Sequence, residues 1–333
     1  MIHNDCIFGR VEITEPIILE LIKSQALQRL KGIDQGGCES LYVCRTVLKN
    51  KLHHNRFAHS LGVYLLLRKF GASLEEQIAG LIHDISHASF SHSIDYVSGD
   101  EKSQKEHNHQ DSIFDAYIRQ TEIPKILTRY GFSPKYIFDD TNFPLKERPL
   151  PELCADRIEY SLREALVFGE IKKEDAVKIL KKLTVFENQW VFSDLPTAKG
   201  FANIFFKMNK IYYSGLSSAI MFRTIGDCLG YSLARKYINK KDLYTTDEVI
   251  LRKIKNKVKK DDKLKILFSR MNGNIKCQNN FEKYDIKVFV KSRIVDPLCW
   301  HQGKIKKVSD INKKWATVVK EEMKPKEYFL KYN

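Results

Sequence analysis

Residues 77–95 read QIAGLIHDISHASFSHSID. The first half is apolar at helical spacing and closes on the adjacent pair His83-Asp84, with His87, His92 and Asp95 following within a dozen positions. Burying two ionisable groups at the end of an apolar helix is costly unless something charged meets them. The surrounding chain sharpens that requirement. Nine of the ten histidines fall at 3, 53, 54, 59, 83, 87, 92, 107 and 109, and only His301 lies far beyond them. One histidine on a helix is more often packed or solvent-facing than a ligand; this crowding points instead to a metal. Imidazole nitrogens with carboxylate oxygens suit a divalent ion (Mn, Fe, Zn, Co, Ni or Mg), and a set on one side of the ion leaves positions open for water and substrate oxygens.

Outward from this stretch the chain reads as mainly helical. Residues 14–34 place Ile17, Ile18, Leu21, Ile22, Leu27 and Leu30 on one broad face, with Thr14 before Pro16 as a start and Gly36-Gly37 as a stop. Residues 61–70, 74–85, 112–130, 153–168 and 174–183 read as further helices, 185–192 as a hairpin, and 202–237 as one or two long helices. Residues 253–265 read as a charged helix or loop and 286–295 as a strand. The fold class expected is a mainly α helical bundle with a smaller, basic α+β C-terminal region. The division expected is a core over 1–200 and a helical extension with the basic region over 201–333.

The 333 residues carry a formal charge of +15, and 251–333 alone hold 23 Lys and Arg against 9 Asp and Glu. That split reads equally as lysine-rich solvated surface or as a contact region for nucleotides or nucleic acid. Composition, with 43% hydrophobic residues, 16 Gly and 9 Pro, excludes collagenous and wholly disordered chains. No apolar run approaches the roughly 18 residues that span a bilayer, and the polar start lacks a leader pattern. The seven scattered cysteines form no disulfide or zinc framework and read as reduced thiols of a cytoplasmic, non-membrane protein.

Two spacings bear on phosphate chemistry. Arg56 and His59 lie three apart, so one helix face carries both a guanidinium and an imidazole. Asp156, Tyr160 and Arg163 follow i, i+4, i+7 with Arg157 beside them, so one helix can present a ligand, a hydroxyl and two cations. The plainer alternative for these arginines is a salt bridge to Glu159 or Glu164.

The segments NRFAHSLGV (55–63), LIHDISHASFSHSID (81–95) and ADRIEYSLRE (155–164) resemble an HD-domain phosphohydrolase, in the order His, His-Asp, Asp. More narrowly they are similar to the deoxynucleoside triphosphate triphosphohydrolase branch, of the sterile-alpha-motif and HD-domain protein type, as is IFGRVEITEPIILELIKSQALQRLKGIDQGG (7–37). LYTTDEVILRKI (243–254) and VKSRIVDPL (290–298) resemble it more faintly. The resemblance implies that His59, His83, Asp84 and Asp156 ligate one metal, that Arg56, Arg157 and Tyr160 face a polyphosphate, and that Gln35 lies beside the sugar. It places His92, Asp95 and His109 near the leaving-group oxygen, with His92 as general acid and Asp95 favouring its imidazolium. His87 is a ligand-shell or substrate-binding candidate, or a hydrogen-bonded core residue. His107 reads as exposed, and His53 and His54 as surface or turn positions.

The sequence departs from the family pattern at Glu164, where many members carry Asp, and over 202–213, where Lys207, Lys210, Tyr212 and Tyr213 are the available contacts. No nucleotide-controlled tetramer is predicted, although a homo-oligomer is compatible with the sequence. The activity implied is hydrolysis of a dNTP to a deoxynucleoside and triphosphate. Alternatives are a nucleotidase or phosphodiesterase acting on NMPs, cyclic nucleotides or RNA ends, or a catalytically weak protein binding nucleic acid through the basic C-terminal region.

Overall fold

A computed structural model describes residues 1–38, 54–271 and 275–333; His53 lies outside the described residues. The chain opens with the antiparallel strands β1 (Ile2–Asp5) and β2 (Gly9–Glu12). The helix expected over 14–34 is two, α1 (Pro16–Lys23) and α2 (Gln25–Arg29). Ser24 divides them because its backbone is extended, at φ −60° and ψ 147°, and its hydroxyl accepts from the Leu27 N–H at 3.3 Å to cap the second helix.

α3 (Arg56–Lys69) is the central element, started by Asn55, whose side chain accepts from the Ala58 N–H at 2.9 Å. It is buried on nearly every side, which suits its apolar 61–67 run. α4 (Leu74–Ile82) packs along it and ends where His83-Asp84 begins. The single helix expected over 112–130 is α5 (His109–Ile118) and α6 (Ile123–Arg129), the second beginning with Pro124 in its first turn. α7 (Ala155–Val167) returns against α3. α8 (Lys173–Lys181) leads into the hairpin β3 (Leu183–Phe186) and β4 (Gln189–Phe192), turned by Glu187 and Asn188 at φ 47° and 57°.

α9 (Leu195–Met208) and α10 (Leu216–Ala234) are separated by one π-helical turn, Asn209–Tyr213. Beyond α11 (Asp247–Val258) and α12 (Asp262–Ser269) come β5 (Cys277–Asn279), β6 (Ile286–Val290), β7 (Leu298–His301) and β8 (Lys304–Lys307). Then follow α13 (Lys313–Glu322) and β9 (Lys326–Tyr332). β5, β9 and β6 form one antiparallel sheet; β7 pairs parallel with β4 in a second, of order β3-β4-β7-β8. A single apolar cluster takes in Ile7, Val63, Leu162, Phe192, Phe205, Cys299 and Trp315. Core and sheet thus run across residue 200.

Among the described residues no helix is long and apolar enough to cross a membrane, and the six described cysteines are free.

Candidate active site

α3, the α4 end and α7 converge on one cluster. His59, on α3, is buried and directs Nε2 to within 2.9 Å of Asp156 Oδ1 on α7 and 3.2 Å of His83 Nε2 at the end of α4. His83 Nε2 lies 3.5 Å from Asp156 Oδ1 and 3.4 Å from Asp84 Oδ1, and Asp84 Oδ2 is 3.8 Å from His59 Nε2.

The outer ring nitrogens fix the tautomers. His83 Nδ1 is 2.8 Å from the Gly80 carbonyl, and His59 Nδ1 is 2.6 Å from Glu159 Oε2, so both Nδ1 atoms carry the hydrogen and donate it. With both imidazoles neutral, the two Nε2 lone pairs and the Asp84 and Asp156 carboxylates face one another with no donor among them. Such a set of converging acceptors fits a divalent cation by its chemistry. The same carboxylates make this a place for positive charge: burial works against charge on His59, yet hydrogen bonds with Asp156 and Glu159 and the nearby carboxylate charges push its imidazole up to about 10, so a cation at Nε2 competes with a proton there. Burial likewise opposes ionisation of Asp84, but Arg56, His83 and His87 hold its carboxyl well below the ordinary range.

Glu159 was not among the site residues the sequence suggested, although it stands one helical turn after Asp156. It accepts from Arg163 as well as His59, and Arg163 in turn pairs with Asp5 at 2.7 Å. Arg163 is therefore a buried brace behind the metal ligands and does not face substrate. Gly62 lets Glu159 reach across, since a methyl there would overlap its carboxylate.

The cluster opens onto a cleft of about 1060 Å³ lined by Gln35, Arg56, His83, Asp84, His87, His92, Asp156 and Tyr160 among others. Arg56 donates from Nη1 to Asp84 Oδ2 at 3.0 Å and from Nε to Ser91 Oγ at 3.0 Å. Among the described residues the buried Gln35 Oε1 and Tyr160 hydroxyl have no hydrogen-bond partner. Buried polar atoms of this kind call for a ligand or water to satisfy them. His87 Nε2 is 3.2 Å from Asp84 Oδ1, and burial together with the Arg56 charge pushes its imidazole down to about 4.

His92 lines the cleft, edge-on to His87 and stacked on His107 at 5.1 Å between ring centroids. Here the expectation changes. Burial, then the charges of His107, Arg56 and Arg293, hold His92 well below its ordinary value, so in the free cleft it is neutral. Asp95 Oδ2 stands 3.8 Å from His92 Nδ1, too far for a hydrogen bond, and burial raises Asp95 itself to about 7. His109 turns away: its Nε2 is 3.0 Å from the Tyr244 hydroxyl, and its backbone N–H donates to Asp95 Oδ1 at 3.2 Å.

Other expectations are corrected by the packing. Arg157 lines the cleft but is also tied to the scaffold: Nη2 pairs with Glu147 at 2.8 Å while Nη1 donates to the Arg148 and Glu152 carbonyls and the Cys154 sulfur. His107 is buried, its Nε2 2.8 Å from the Tyr96 hydroxyl, because a left-handed turn at φ 45° folds it under the cleft. His54 is also buried, edge-on to Phe168. Lys207 pairs with Glu170 and Lys210 is exposed, while Tyr212, Tyr213 and Glu164 line the cleft. Lys291 and Arg293, from the C-terminal region, line it too. The sequence signal for them was their i, i+2 spacing in an extended stretch.

A model of the HD domain matches residues 56–128, which span α3, α4 and the His92 turn. The chain is 33% identical to the uncharacterized protein YdhJ of Bacillus subtilis over 93% of its own length and 92% of that protein. It is 34% identical to the metal-dependent phosphohydrolase cns2 of Cordyceps militaris over 68% of this chain and 65% of that one. Mouse deoxynucleoside triphosphate triphosphohydrolase SAMHD1 is 33% identical over 40% of this chain and 22% of its own. In fold, a hypothetical protein of Aquifex aeolicus superposes with a TM-score of 0.71 at 20% identity, covering 100% of this chain and 96% of that one.

Proposed function

The chain belongs to the HD-domain superfamily of metal-dependent phosphohydrolases, and from that premise we propose that it hydrolyses a deoxynucleoside triphosphate to the deoxynucleoside and inorganic triphosphate. The observation that carries the reading is the meeting of two features in one cleft of about 1060 Å³: four converging acceptors, and the buried, unpartnered Gln35 Oε1 and Tyr160 hydroxyl beside them. A nucleotide fits that volume, and its sugar and phosphate oxygens supply the missing hydrogen bonds. The likeness to SAMHD1, over 40% of the chain, favours the triphosphohydrolase form.

His59, His83, Asp84 and Asp156 would hold the ion, which supplies Lewis-acid chemistry and charge neutralisation at the reacting phosphate. Arg56 braces Asp84 and adds positive charge at the same wall. His92 is the group placed to hand a proton to the departing sugar oxygen. Burial and the nearby cations keep it neutral in the free cleft, and a bound polyanion offsets those cations and raises its pKa toward a useful donor. Free cysteines agree with a cytoplasmic setting.

The test is metal analysis of the purified protein, then incubation with all NTPs, dNTPs and NMPs and identification of the products. Intact triphosphate from dNTPs is expected, and loss of both metal and turnover in Asp84→Ala. Release of orthophosphate from NMPs alone would make the protein a nucleotidase. Steeply salt-dependent DNA or RNA binding without turnover would favour the binding alternative.

A further inference from the structure

We propose that Lys291 and Arg293, carried into the cleft by the basic C-terminal region, bind the polyphosphate tail of the substrate and take the place the sequence assigned to Arg157. The inference rests on the nucleoside triphosphate reading and names the part of the molecule that reads phosphate number.

The segment after β6 is held from below. Ser292 is buried, its hydroxyl 2.9 Å from Asn209 Nδ2 and 3.2 Å from Glu322 Oε2, and the Arg293 N–H donates to Asn209 Oδ1 at 2.9 Å. Asn209 is fully buried in the π-helical turn between α9 and α10 and also donates to Glu322 at 3.0 Å. With Ser292 pinned inward, its two neighbours face the other way, as alternation in an extended chain requires, and both line the cleft.

Neither cation is locked in an ion pair where others are, although the Asp95 and Asp111 carboxylates act on Lys291 from farther off. Arg56, Arg119, Lys146, Arg148 and Arg157 also line the cleft, and each is paired with a carboxylate: Asp84, Asp115, Asp140, Glu152 and Glu147 respectively. Among the described residues Lys291 and Arg293 form no ion pair, and Lys135, equally unpaired, is simply exposed. Burial, then the neighbouring Arg293 charge, pushes Lys291 down to about 8. The Arg293 charge acts on both His92 and Tyr160, which line the same cleft. Two like charges held side by side by the hydrogen bonds of Ser292, Asn209 and Glu322, with no carboxylate within ion-pair distance, suit a ligand that brings several negative charges at once.

The experiment measures binding of inorganic triphosphate and of orthophosphate to the full-length, metal-loaded protein by calorimetry. Wild type is expected to prefer triphosphate, and the Lys291→Gln/Arg293→Gln variant to lose that preference, with triphosphate affinity falling on the order of 100-fold and metal content unchanged. Arg293→Lys should retain an intermediate affinity. The two single Gln variants carry the test if the double variant fails to fold. Unchanged triphosphate affinity in variants that fold, or a wild type that binds triphosphate no better than orthophosphate, overturns the proposal. The two readings fail separately. Lost triphosphate binding in the variants, with no dNTP turnover by wild type, sinks the activity and leaves this site standing. Normal dNTP turnover with unchanged triphosphate affinity does the reverse.

Discussion

Glu159 backs a metal ligand while His92 faces the cleft, and the two do different kinds of work. Glu159 never reaches the cleft; it fixes the hydrogen of His59 on Nδ1 and so leaves Nε2 free to ligate. Glu159→Gln keeps the shape and loses the charge, so metal affinity should drop by about 10–100-fold while the fold survives on the remaining Arg163–Asp5 pair. Metal titration of the folded variant checks this, and unchanged affinity would reduce Glu159 to a packing residue. His92→Ala should leave metal bound and lower kcat by about 10²–10⁴-fold, with KM nearly constant, because a general acid acts on the transition state. The loss should shrink on a p-nitrophenyl ester, whose leaving group departs without a proton. Equal losses on both substrates would give His92 a positioning role.

The four proposed metal ligands are legible in the sequence because motif order and ligand chemistry both converge on them. What the sequence hides depends on how elements fold back. Arg157 reads as free because nothing in the sequence shows that the 147–154 loop returns to cover it, and His107 reads as exposed because the left-handed turn that buries it has no glycine to mark it. The Ser91–Tyr96 turn is the element where this matters most, since it carries His92 and buries Asp95 among Ser103, the His109 N–H and the charges of Lys291 and Arg293. Burial raises Asp95 from 3.8 to about 7. Below about pH 4 the carboxyl is protonated whether the chain is folded or not. Between 4 and 7 the unfolded chain ionises while the folded one keeps its proton, so stability falls as pH rises, by on the order of 2–4 kcal/mol. Above 7 both forms are charged and the loss stops. Asp95→Asn keeps an acceptor for the His109 N–H and has no proton to lose. The melting temperature of wild type should therefore fall, relative to that variant, from pH 5 to pH 8, and parallel pH profiles would contradict the burial argument.

Nearly all of the chain's net charge lies in residues 251–333, yet that region is no detached basic tail. β7 lies beside β4 in one sheet, Trp315 and Cys299 share the cluster that holds Val63 and Leu162, and Lys291 and Arg293 form part of the cleft wall. α10 also backs the His92 turn closely enough that a methyl at Gly226 would come within 2.9 Å of the Tyr96 backbone. Composition and helix periodicity suggested a division at residue 200 because neither reports pairing between strands a hundred residues apart. A protein ending at residue 200 would leave β4 without a neighbour on one edge, strip Phe205, Cys299 and Trp315 from the core, and uncover the turn that carries His92. Losing a single large core side chain costs about 3–5 kcal/mol, and whole domains hold only about 5–15 kcal/mol of stability. The 1–200 fragment should therefore show no cooperative thermal transition and retain no stoichiometric metal, although it contains every proposed ligand. The full chain should melt in one transition. Circular dichroism melts with metal analysis of both proteins decide the matter: a fragment that folds and binds metal would make residue 200 a true domain boundary.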